Sequence, residues 1–172
     1  MCPTGFNEYK DSCYYFAPRR DRLTWSEATT TCTSFGGYLA EVTSSSENAY
    51  ITAGLTGRFW IGGSDAVEEG RWIWSHSGSE ISEYTNWGPK QPDNYNSQEK
   101  CLSYRVSNVW NDLDCSVAIS YVCEHAQSQR PTPSGSGSLF YGKQIAMHIH
   151  SIFFYFEDNS YCSSVVSNGI LR

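Results

Sequence analysis

The stretch Trp87-Gly88-Pro89-Lys90-Gln91-Pro92-Asp93-Asn94-Tyr95-Asn96-Ser97-Gln98-Glu99-Lys100-Cys101 is polar, rich in proline and asparagine, and opens a segment reaching Trp110 that is too long for a simple turn. Loops of that length in a compact domain carry function or are disordered, and we read this one as functional. Around it lie short aromatic and β-branched runs: Phe59-Trp60-Ile61, Arg71-Trp72-Ile73-Trp74, Cys101-Leu102-Ser103-Tyr104-Arg105-Val106 and Ile119-Ser120-Tyr121-Val122-Cys123. These read as antiparallel strands joined by long loops. Upstream the pattern is helical. Thr24-Trp25-Ser26-Glu27 has the form of a capping box, Trp25, Ala28 and Cys32 follow at helical spacing, and Gly36-Gly37 stops the run. Ser44-Ser45-Ser46-Glu47 repeats the form and opens a second short helix that closes at Gly54. Tyr38-Leu39-Ala40-Glu41-Val42 reads as a strand between them. Helices followed by antiparallel strands define an α+β fold.

The chain has 172 residues, room for one globular domain and an appendage, and its 40% hydrophobic content suits a packed core. A formal net charge of -6 excludes a phosphate-neutralising surface of the kind nucleic acid requires and favours cation binding. No run of about 18 consecutive apolar residues occurs, so no membrane span is expected. The seven cysteines, at 2, 13, 32, 101, 115, 123 and 162, contain no Cys-x-x-Cys pair, which argues against zinc ribbons and redox motifs and for a disulfide framework in an oxidising compartment. Secretion is therefore expected. Met1 runs straight into Cys2-Pro3-Thr4-Gly5 without a leader, so the sequence reads as a mature or truncated chain. After Ala126 the composition changes to a Pro/Gly/Ser linker, dividing the chain into a domain of residues 1–126, a linker of 127–138 and a tail of 139–172 whose role is open.

Residues 2 to 125 resemble the C-type lectin-like domain family, through signs that come in family order. Cys2 and Cys13 resemble the additional N-terminal pair of its long form, Trp25, Ala28 and Cys32 its first helix, and Phe59-Trp60-Ile61-Gly62-Gly63 its Trp-Ile-Gly strand with the last position altered. Trp72-x-Trp74, Trp87-Gly88, Gln91-Pro92-Asp93, Trp110-Asn111-Asp112 and Tyr121-Val122-Cys123-Glu124 complete the set. The resemblance implies disulfides Cys2–Cys13, Cys32–Cys123 and Cys101–Cys115, with Cys162 left over and available to cross-link a homo-oligomer.

Gln91, Asp93, Glu99, Asn111 and Asp112 offer side-chain oxygens from the loop and a later strand, and a set of hard oxygen donors suits calcium. Asp and Asn also favour turns, but all five positions hold competent ligands. By resemblance, Glu99 and Asn111 stand at the family's spacing from Cys101, and the calcium they help to hold is shared with the sugar. An amide both donates and accepts whereas a carboxylate only accepts, so the order of the two around Pro92 selects a hydroxyl geometry. Gln-Pro-Asp goes in the family with galactose-type sugars, which implies galactose or N-acetylgalactosamine. The resemblance also implies a cis Gln91–Pro92 bond. Tyr95 stands where galactose binders of the family often carry a tryptophan against the sugar face, so the expected sugar-binding set is Gln91, Asp93, Tyr95, Glu99, Asn111 and Asp112. The Gly-rich insertion of some galactose binders is absent between Asp93 and Cys101.

A second calcium site is partly matched by Asp65, Glu69 and Asn94, but Lys100 places a cation where an acid is usual and is expected to pair with Asp65 or Glu69. The tryptophans at 25, 60, 72, 74, 87 and 110 are assigned to packing. Neither His76 nor His125 accompanies a recognisable nucleophile motif, so no catalysis is expected. The tail holds the apolar run from Ile145 to Phe156, with His148 and His150 on one face if it forms a strand. The expected function is calcium-dependent recognition of microbial or cell-surface galactose-type glycans by a secreted lectin of innate immunity. The alternative is a calcium-independent lectin-like module that binds a protein partner.

Overall fold

Capping sets where the helices begin. In the computed structural model, which describes residues 1–127, the first helix, α1 (Trp25–Ser34), starts at Thr24, whose hydroxyl accepts from Glu27 N while the Glu27 carboxylate accepts from Thr24 N. This is a complete capping box. The helix stops at Ser34 because the chain must then pass beside a strand: a Cβ on Gly37 would lie 2.2 Å from the Glu124 carbonyl oxygen. The second helix, α2 (Ser45–Gly54), is capped by Ser44, but its box is only half formed. The Glu47 carboxylate turns to Thr43 N (2.8 Å) and the Tyr14 hydroxyl (2.6 Å) instead of Ser44 N.

The strands are β1 (Asn7–Tyr9), β2 (Ser12–Phe16), β3 (Tyr38–Leu39), β4 (Phe59–Ser64), β5 (Ile73–Trp74), β6 (Glu99–Tyr104), β7 (Trp110–Asp114) and β8 (Ser120–Ala126). They form one sheet in the order β1-β2-β8-β4-β6-β7, with β3 on β8 and β5 on β4. All pairings are antiparallel except β4 with β8. The strand expected over Tyr38–Val42 is shortened because the Glu41 amide donates to the Glu124 carboxylate instead of continuing the ladder. Of the expected Arg71–Trp74 strand, only Ile73 and Trp74 pair, with Ser64 and Gly63.

Alternation along β4 and β8 divides the core between two faces. Phe59, Ile61 and Val122 join Tyr14, Ile51, Leu102, Tyr104 and Trp110 on one face. Trp60, Tyr121 and Cys123 join Ala28, Cys32 and Leu39 on the other. Thus α2 contributes to one core and α1 to the other, and every residue of β4 is buried, as a strand covered on both faces must be. Trp60, Trp72, Trp74 and Trp110 are buried, and Trp25 and Trp87 are half-buried against these clusters, so the tryptophans pack as expected. The Trp25 indole donates to the Ile61 carbonyl and that of Trp60 to the Leu23 carbonyl, both at 3.0 Å, locking the approach to α1 onto β4.

All three implied disulfides are formed: Cys2–Cys13 closes the first hairpin, Cys32–Cys123 ties α1 to β8, and Cys101–Cys115 joins β6 to the end of β7. The linker beyond Gln127, the tail, Cys162, His148 and His150 lie outside the described residues. Among the described residues no helix is long and apolar enough to cross a membrane.

Candidate calcium and sugar site

The long loop is pinned at its root by aromatic packing. Trp87 and Trp110 form an isolated bridge, and Trp110 makes edge-on contacts with Trp74, Tyr84 and Trp87 at 5.8–5.9 Å between centroids. Gly88 passes close beneath: a Cβ there would lie 2.9 Å from Val109 Cγ2, and its amide donates to the Trp110 carbonyl at 2.9 Å. From this anchor the chain passes through Gln91 and Pro92, whose bond is cis as the resemblance implies.

The next residues are held from below by β7. Its alternation places Asn111 and Leu113 at a cavity wall. Asp112, fully buried, lies on the other side of the strand with its carboxylate accepting from Asp93 N (3.2 Å) and Asn94 N (2.5 Å). A buried carboxylate is tolerable when such donors satisfy it. The loop closes on itself through Glu99, which accepts from Tyr95 N and donates its own amide to the Asn94 side-chain oxygen, both at 3.2 Å.

This folding gathers the expected ligands. Gln91, Asp93, Tyr95, Glu99 and Asn111 line one cavity of about 340 Å³, together with Arg58, Arg105 and Leu113. Carboxylate oxygens of Asp93, Glu99 and Asp112 lie within 4.8 Å of one another, the one such His, Cys or acidic group among the described residues. Burial, with the nearby charges of Asp112 and Asp93, pushes the Glu99 carboxyl above its usual range although the Tyr95 amide opposes this. The Gln91 side-chain oxygen is buried without a hydrogen-bond partner. Converging anions with an unsatisfied oxygen beside them fit a hard divalent cation, which would neutralise the former and coordinate the latter. The Asn111 amide donates to the Asp112 carbonyl, leaving its oxygen available as a ligand. Tyr95 is 68% exposed, so its ring is open to a ligand in the cavity.

The residues of the second expected site are arranged differently. Lys100 forms an ion pair with Glu69, while Asn94 is engaged with Asp112 and Glu99. Asp65 is buried and accepts from Gly70 N at 2.9 Å, with its other oxygen unpartnered. Sequence reasoning did not single out Arg58 or Arg105. They are far apart in the chain, and only the antiparallel step Phe59 with Tyr104 brings them side by side.

A disulfide-stapled α+β domain with a long, cation-competent loop over a mixed sheet defines a lectin-like module. Residues 21–125 match the lectin C-type domain model, and the chain belongs to that family. It is 35% identical over 131 residues to a perlucin-like protein of Mytilus galloprovincialis, covering 71% of this chain and 81% of that one. It is also 35% identical over 129 residues to the galactose-specific lectin nattectin of Thalassophryne nattereri, covering 71% and 79%. Among solved structures, the carbohydrate-recognition domain of the mouse scavenger receptor C-type lectin superposes with a TM-score of 0.70 at 28% identity, covering 74% of this chain and all of that one. A calcium-independent type II antifreeze protein superposes with a TM-score of 0.67 at 30% identity, covering 73% and 95%. Family and fold are those of a non-enzymatic class.

Proposed function

We propose that the domain binds galactose-type sugars through a calcium ion held by Gln91, Asp93, Glu99, Asn111 and Asp112. The observation that carries this is the convergence of the Asp93, Glu99 and buried Asp112 carboxylates, two of which line one open cavity with Gln91, whose side-chain oxygen is unpartnered. Bound calcium supplies a Lewis-acidic centre that accepts sugar hydroxyls in its remaining coordination positions. The protein's part is to orient them: the Gln91 amide can donate to and accept from a hydroxyl, Asp93 only accepts, and Tyr95 offers an aromatic surface to the apolar face of the ring. Gln91 before Pro92 and Asp93 after it is the order that implies galactose or N-acetylgalactosamine, and likeness to a galactose-specific lectin adds to that reading. The pairing of Lys100 with Glu69 favours one calcium per chain over two.

Three disulfides favour a secreted protein, and recognition of microbial or cell-surface glycans in innate immunity is the setting we propose for it. A second reading, calcium-independent binding of a protein partner, draws on the likeness to an antifreeze protein described as calcium-independent. Calorimetric titration separates the two. The wild type is expected to bind one calcium, and Asp93→Ala to weaken that binding by at least the roughly 10–100-fold typical of losing a supporting residue, with its melting temperature in chelator unchanged. Undiminished calcium binding by Asp93→Ala, or none by the wild type, contradicts the proposal.

A further inference from the structure

The chain is acidic overall, with a formal net charge of -6, yet the cavity assigned above to calcium and sugar has a basic wall. Arg58 and Arg105 flank the paired step Phe59 with Tyr104, so the antiparallel register sets the two arginines beside each other, and both line that cavity. Like charges facing each other across strands are destabilising. Among the described residues the ion pairs are Arg71 with Glu68 and Glu80, and Lys100 with Glu69, none of which involves Arg58 or Arg105. A divalent cation would balance the charges of Asp93 and Glu99, which line the same cavity, leaving the guanidiniums as uncompensated positive charge.

The basic surface continues away from the calcium residues. Arg58 also lines an adjoining hollow of about 180 Å³ with Arg19 and Arg22, and a third, more open one with Arg105, Val106 and Ser107. Arg58 therefore links the sugar cavity to a cationic track over the neighbouring surface. Guanidinium groups present planar, forked donors matched to the oxygens of sulfate and carboxylate groups. The track begins where a sugar would already be held, which favours an anionic substituent on that same glycan over a nucleic acid, whose phosphates would have no use for the adjacent hydroxyl-binding residues.

We propose that Arg58 and Arg105 form an oxyanion subsite, so that the preferred ligand is a galactose-type glycan bearing a sulfate ester or a uronic carboxylate. This rests on the galactose reading above. The test is calorimetric binding of galactose, galactose 6-sulfate and galacturonic acid in calcium, by the wild type and the doubly substituted Arg58→Gln/Arg105→Gln protein; both side chains are exposed, so folding is expected to survive.

The wild type is expected to bind at least one of the two anionic sugars about tenfold more tightly than galactose, as a charge-assisted hydrogen bond would provide. That advantage should shrink as salt rises from about 0.01 M to about 0.15 M and vanish in the double variant, with galactose as the internal reference. Which anionic sugar gains distinguishes sulfate from carboxylate. Galactose binding without an anionic advantage, or an advantage kept by the double variant, overturns the subsite and leaves the galactose reading standing. Arginine-dependent binding of an anionic sugar without measurable galactose binding does the reverse. Binding of no sugar overturns both, and arginine-dependent binding of single-stranded DNA in preference to all three sugars overturns the subsite as a glycan site.

Discussion

Asp112 shows how one side chain can serve loop and ligand together. Its carboxylate is buried, accepts the amides of Asp93 and Asn94, and lies within 4.8 Å of carboxylate oxygens on Asp93 and Glu99. On the proposed calcium site, loop shape and cation affinity are coupled through one residue. Tyr95 is the contrasting case, exposed and joined to the site through its backbone amide to Glu99. We expect Tyr95→Ala to weaken galactose binding by about 0.5–1.5 kcal/mol, the range for a lost aromatic contact, or about 2- to 12-fold. Calorimetry should show calcium affinity unchanged, and a parallel loss of both would mean that Tyr95 holds the loop instead of the sugar. That Gln91, Asp93, Glu99 and Asn111 come to one cavity was legible in the sequence from their spacing around Pro92 and Cys101. Arg58 and Arg105 were not, since only strand register makes them neighbours.

Among the elements, the contact of β2, α2 and β8 concentrates buried charge. Glu124 on β8 accepts from Ser12 (2.7 Å), Tyr14 (3.4 Å) and the Glu41 amide (3.2 Å), while Tyr14 also donates to Glu47 on α2 at 2.6 Å. Burial, and then the Glu47 charge, push the Glu124 carboxyl above its usual range, against the pull of Ser12 and of the Glu41 amide. A raised folded-state value means that the folded protein holds the Glu124 proton more tightly than the unfolded chain. The resulting stability is fully present below the ordinary glutamate value and is lost as pH rises through the raised one. Glu124→Gln should therefore lower the melting temperature relative to wild type most in acid, with the gap narrowing toward neutrality. Thermal melts between about pH 4, near the ordinary carboxyl values, and neutral pH check this, and a constant gap would contradict it. This interaction also explains why one capping signal succeeded and another only in part. Thr24 and Glu27 satisfy each other within a single turn, whereas the Glu47 carboxylate is drawn to Tyr14, far away in the sequence. The strand character of Ser12–Phe16 likewise becomes visible only through its pairing with β8.

For the whole molecule, the disulfides complement a core divided between two faces of one sheet. Cys32–Cys123 spans 91 residues and joins α1 to the central strand β8, while Cys2–Cys13 spans 11. On the loop-entropy model, replacing the first pair by alanines should cost about 4.6 kcal/mol and the second about 2.8 kcal/mol. Urea unfolding of the two double variants should reproduce that order, and equal losses would contradict the loop-length account. The α+β class and all three pairings could be anticipated because helix caps, strand runs and family-ordered cysteines agree with one another. The shortened β3 could not, because Glu124, distant in sequence, takes the Glu41 amide and ends the pairing.

The central claim, that calcium and a galactose-type sugar share the loop site, is tested most directly by retention on immobilised galactose in calcium, followed by elution with chelator, free galactose or free mannose. Retention with release by chelator and by galactose, but not by mannose, is the expected result. Retention that survives the chelator, or a column that never holds the protein, would contradict it.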